Sequence, residues 1–135
     1  MSLFKRKKIT DKEWEEMNSL VIETLKSGDL DKALTYAHNL YEITKKNYGN
    51  SHDNTATAVN NLGFIYMLRK EFSKAESYLL LSLEITEKVH GKYSKEVAVV
   101  NANLSKLYLL RAKESCEIDN IANYNYEKNS SGGAL

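Results

Sequence analysis

The chain has 135 residues, 42% hydrophobic and 27% charged, with a net charge of +1, one cysteine and no proline. Such a composition belongs to a folded domain with a sizeable core, and the balanced charge excludes bulk electrostatic attraction to nucleic acid or acidic membranes. The single cysteine, Cys116, excludes an internal disulfide and a multi-cysteine metal site, and fits a reducing cytoplasm, the expected location.

Residues 1–9 read as a basic flexible arm carrying Lys5-Arg6-Lys7-Lys8. No apolar stretch follows this run, so it lacks the form of a secretory leader, and Ser2 stands where myristoylation requires glycine. No apolar run approaches bilayer length. A first helix is predicted over 11–27, with Thr10 and Glu13 spaced as a capping box. Gly28-Asp29 then supplies a turn and an N-cap. Leu30, Ala33, Ala37, Leu40 and Tyr41 form the apolar stripe of a second helix, which Gly49 should end. Ser51 or Asp53 is expected to cap a third helix carrying Val59, Leu62, Gly63 and Tyr66 on one face. A fourth runs from about Phe72 to Gly91, and a fifth from about Ser94 to Leu110. Residues 114–135 are expected to form a helix or lid followed by a flexible tail.

These elements repeat. Residues 42–49, EITKKNYG, return as EITEKVHG at 84–91, a shift of 42. The same shift places Lys32-Ala33 on Lys74-Ala75, Asn61-Leu62 on Asn103-Leu104, and Tyr66 on Tyr108. Between 30–69 and 72–111, 14 of 40 positions are identical without a gap, more than two unrelated helical segments would share. The units are about 10–50, 51–92 and a partial 93–113, within one helical domain over 10–113.

Val59, Leu62-Gly63, Tyr66, Ala75 and Leu79 resemble the spacing of bulky, small and aromatic residues in the tetratricopeptide family. The 42-residue unit, the run Glu84-Ile85-Thr86-Glu87-Lys88 with Gly91, and Asn60-Asn61-Leu62 are similar to its kinesin-light-chain-like subgroup. The resemblance covers roughly 14–111. It departs at Val21 and Thr24, and at Glu117, where a small residue should pack. It implies an all-α fold, helical hairpins stacked as a short right-handed superhelix, and a non-enzymatic adaptor or scaffold that binds proteins.

In such a stack the first helix of each pair lines the concave side. Helical offsets then select groove candidates: Asn18, Ser19, Ile22 and Leu25; Thr57, Asn60, Asn61, Phe64 and Met67; and Val99, Asn103, Lys106 and Leu110. The resemblance implies that asparagines at Asn61 and Asn103 hold a ligand backbone. It also argues against clamping a C-terminal carboxylate, since Asn18, Ile22, Val99 and Asn103 stand where cations would be needed. The apolar lining favours an amphipathic helix or a hydrophobic segment as partner. The plain alternative is that Asn60-Asn61 are solvated surface, and Phe64 and Met67 core.

A second reading is structural. Apolar residues surround the fifth helix, and Leu107 and Leu109, with Ile118 and Ile121 beyond, are candidates for a symmetric homodimer. The alternative is that Ile118, Ile121, Tyr124 and Tyr126 form an intramolecular lid. A third reading has the basic arm touching nucleic acid or a membrane surface; neither is an expected partner, because one short cluster contributes little. No catalytic constellation, phosphate loop, cofactor, small-molecule substrate or metal site is expected. His38, His52 and His90 lack ligand spacing, and Cys116 lacks an activating neighbour.

Overall fold

The computed structural model describes residues 8–132. It contains five helices: α1 (Asp11–Lys26), α2 (Leu30–Tyr48), α3 (Asp53–Leu68), α4 (Phe72–His90) and α5 (Lys95–Gly132). Helix α1 begins as its sequence dictates. Thr10 Oγ1 accepts from the Glu13 amide at 3.1 Å, and the Glu13 carboxylate accepts from the Thr10 amide at 2.7 Å, which satisfies two otherwise orphaned donors. Asp29 caps α2 by accepting from the Lys32 amide at 3.0 Å. The third cap differs from expectation. His52, not Ser51 or Asp53, caps α3, its Nδ1 accepting from the Asn54 amide at 3.0 Å.

Helices α1 and α2, then α3 and α4, form antiparallel hairpins, and α5 packs on the second. Leu40, Leu62, Ile65, Met67, Leu79 and Leu107 are the large fully buried side chains of the shared core. Within hairpin one, Trp14 Nε1 donates to Thr44 Oγ1 at 2.8 Å. In the second, Ser82 Oγ donates to the Ala56 carbonyl at 3.0 Å. No fully buried side-chain nitrogen or oxygen among the described residues lacks a hydrogen-bond partner, as a stable core requires.

The repeat extends to the contacts that close each hairpin. Tyr48 at the end of α2 donates to Asp11 at the start of α1. Forty-two residues on, His90 at the end of α4 meets Asp53 at the start of α3. The turns repeat with an important decay. Gly28 has φ +86°, and Lys70, the residue 42 later, holds the same left-handed conformation at φ +62°. The next position in the series is Ala112, which lies inside α5.

That decay corrects the expected C-terminus. Helix α5 does not end near Leu110 but continues for 38 residues to Gly132, roughly 57 Å at 1.5 Å per residue. Ala112-Lys113 offers neither the glycine nor the side-chain cap of Gly28-Asp29, so nothing stops the helix. Ile118, Ile121, Tyr124 and Tyr126 are 60–74% exposed and form no lid over the domain. At the other end, Ile9 is tied down rather than free: its amide donates to Asn47 Oδ1 at 3.1 Å, and its side chain packs on the core. The basic run at 5–8 lies outside the described residues except for exposed Lys8.

Candidate partner-binding groove

The curvature of the stack follows from what separates its helices. The α3 backbone approaches those of α1 and α5, whereas those of α2 and α4 do not approach each other. Between α2 and α4 stand large rings. Tyr66 and Tyr78 stack at 5.5 Å with planes 2° apart, and the His38 ring lies edge-on to both, at 6.0 and 6.3 Å. His38 Nε2 and the Tyr66 hydroxyl are 2.9 Å apart. Burial holds the His38 pKa below its ordinary value, with Glu42 opposing and Lys74 assisting that shift, so the ring is kept neutral. Bulk on one side and close approach on the other bend the stack, leaving α1, α3 and α5 on the inner face.

Asparagines tie that inner face. Asn61 Nδ2 donates to Asn18 Oδ1 at 2.7 Å, linking α3 to α1. Asn103 Nδ2 donates to Asn60 Oδ1 at 3.0 Å, linking α5 to α3. All four are half-buried. The amide groups read in the sequence as ligand-facing are therefore engaged between helices, each spending a donor or an acceptor on its neighbour. The sequence shows only that asparagine recurs at the repeat, Asn18 with Asn60 and Asn61 with Asn103 each 42 apart, not which amides meet.

The other candidates divide by burial. Ile22 and Leu110 are 38% and 39% exposed, Thr57, Ser19 and Lys106 are exposed, and Phe64 is half-buried, with Lys106 Nζ 5.8 Å above its ring, a cation–π geometry. Leu25 is half-buried against the core. Met67 is 1% exposed and belongs to the core cluster with Leu79, Leu104 and Leu107 rather than to the open surface. Of the self-association candidates, Leu107 is likewise wholly buried, while Leu109, Ile118 and Ile121 are 60–72% exposed.

Two depressions flank the asparagine-linked strip. One, about 220 Å³, is lined by Thr57, Asn60, Glu96, Val99 and neighbours near the starts of α3 and α5. The second, about 250 Å³, lies where α3 turns into α4 and includes Leu68, Phe72, Leu110 and Lys113. Among the described residues no group of three or more His, Cys, Asp or Glu side chains could hold a metal ion, and no helix is long and apolar enough to cross a membrane.

Comparison with known proteins agrees with this geometry. A family model described as tetratricopeptide repeat matches residues 21–79 and 55–115. The chain belongs to the tetratricopeptide repeat family. The resemblance drawn from its 42-residue unit is borne out, as is the all-α stack of helical hairpins. The crystal structure of BtubC (BKLC) from P. vanneervenii matches with a TM-score of 0.70 and 31% identity, over 77% of this chain and 41% of that one. The chain thus spans less than half the length of that neighbour. No curated protein gave a match. Tetratricopeptide repeats generally mediate protein–protein interaction, and the family is typically non-enzymatic.

Proposed function

We propose that this chain is an adaptor or scaffold that holds a protein segment, an amphipathic helix or hydrophobic peptide, against the inner face of α1, α3 and α5. The observation that carries this reading is the chemistry of the strip. Exposed or half-exposed Ile22, Phe64 and Leu110 supply apolar contact, and Lys106 supplies a cation at its edge. A matching ligand places apolar side chains at helical spacing, with a carboxylate opposite Lys106. The neutral asparagine pairs give no carboxylate clamp.

The test is affinity capture from native lysate with wild type and a Phe64→Ala/Lys106→Ala variant, followed by direct titration of any captured segment. A segment that binds wild type and is weakened at least tenfold by the variant supports the groove. Equal binding by both proteins sinks it.

A second reading, self-association, is favoured by one observation: Ile118, Ile121 and Tyr124 lie 60–64% exposed on the part of α5 beyond the core. Concentration-dependent light scattering tests it, and a monomer at every concentration removes it.

A further inference from the structure

Beyond Glu114, α5 has no described packing partner, and its sequence is rich in Asn and Ser, poor helix formers in water. A single projecting helix of this length and composition is marginal without tertiary contact. Its side chains show what would cover it. Ile121 is flanked at three residues on either side by Ile118 and Tyr124, and at seven by Glu114 and Lys128. At 3.6 residues per turn all five fall on one face. The acid precedes the centre and the base follows it, so the pattern is complementary to itself when one copy is reversed. Ile121 would meet its own copy, Ile118 would lie level with the other copy's Tyr124, and the half-buried Glu114, which also stands 3.7 Å from Lys70 of its own chain, would face its Lys128.

We propose that two copies of this chain pair through antiparallel α5 extensions, with the two-fold axis at Ile121. The inference rests on the self-association reading and specifies its register. Leu109 points elsewhere on the helix and takes no part. Because the extension projects beyond the core that α5 shares with α3 and α4, each body sits at one end of the paired helices. The dimer would be a bivalent scaffold, in which a partner carrying two copies of a ligand segment gains avidity without any new contact.

The test uses the full chain carrying Cys116→Ser, so that only introduced thiols react. Ile121→Cys should give a disulfide-linked dimer under mild oxidation, because the residue at an antiparallel axis lies beside itself. Ile118→Cys should not, since its copies are six residues apart along the pair, roughly 9 Å. In light scattering Lys128→Glu should raise the dissociation constant at least tenfold, and Glu114→Lys/Lys128→Glu should restore it. A monomer at all concentrations overturns self-association and this register together. A dimer that links equally through Ile118→Cys, or ignores Lys128→Glu, overturns the register alone.

Discussion

A Cβ placed on Gly63 would stand 2.7 Å from Cγ of Leu79 and 3.2 Å from its backbone nitrogen. Glycine is thus what lets α3 and α4 pack so closely. Leu79 is fully buried and has no room to withdraw. Gly63→Ala gains about 1 kcal/mol in helix propensity but must displace Leu79. The net expectation is a loss of about 1 kcal/mol, and about 3 kcal/mol for Gly63→Leu. Thermal unfolding checks both; an unchanged melting temperature in the leucine variant would show that the hairpin interface is misplaced.

Lys70 carries a strain that its counterpart Gly28 avoids. A left-handed residue with a Cβ costs about 1–2 kcal/mol, while glycine loses more entropy on folding. The bridge from Lys70 to Glu114, 3.7 Å between an exposed ammonium and a half-buried carboxylate, adds little. Lys70→Gly should therefore stabilise by about 0.5 kcal/mol on balance, whereas Lys70→Val should destabilise. Denaturant melts of the two variants against wild type decide it, and a stabilising valine would contradict the turn geometry.

The asparagine pairs should be measurable as couplings. Asn61→Ala removes a half-buried hydrogen bond and should cost about 1 kcal/mol. In a double-mutant cycle with Asn18→Ala the interaction energy should be about 0.5–1 kcal/mol. Strict additivity would mean the two amides do not support one another.

His38 makes stability depend on pH. Its folded pKa lies below the ordinary value of 6.5 because of burial. As pH falls through 6.5 the unfolded chain takes up a proton that the folded ring resists, so stability rises with pH in this window and is lost on acidification toward the folded value. His38→Gln should lose less melting temperature than wild type between pH 7.5 and 5.5. Identical slopes would remove His38 from the balance.

Much of the fold was legible in residues alone. The capping box at Thr10 and Glu13, the Gly28-Asp29 turn and the stop at Gly49 are local chemistry, settled within a few residues by hydrogen bonding and backbone sterics. The 42-residue period fixed the hairpins, because identical apolar spacing demands identical packing. Residue roles on a shared face were less legible. Met67 and Phe64 are both apolar and three residues apart, and only the tertiary packing makes one fully buried and the other half-buried.

The sequence by itself therefore determined the repeat, the helix starts and the all-α family, since these depend on short-range rules. The tertiary structure alone decided that the asparagines pair with each other, that rings of His38, Tyr66 and Tyr78 wedge the outer helices apart, and that Leu107 is core while Ile121 is exposed. Those outcomes rest on which side chains meet across 12 to 43 residues of chain, and helical periodicity specifies a face without specifying what arrives to cover it.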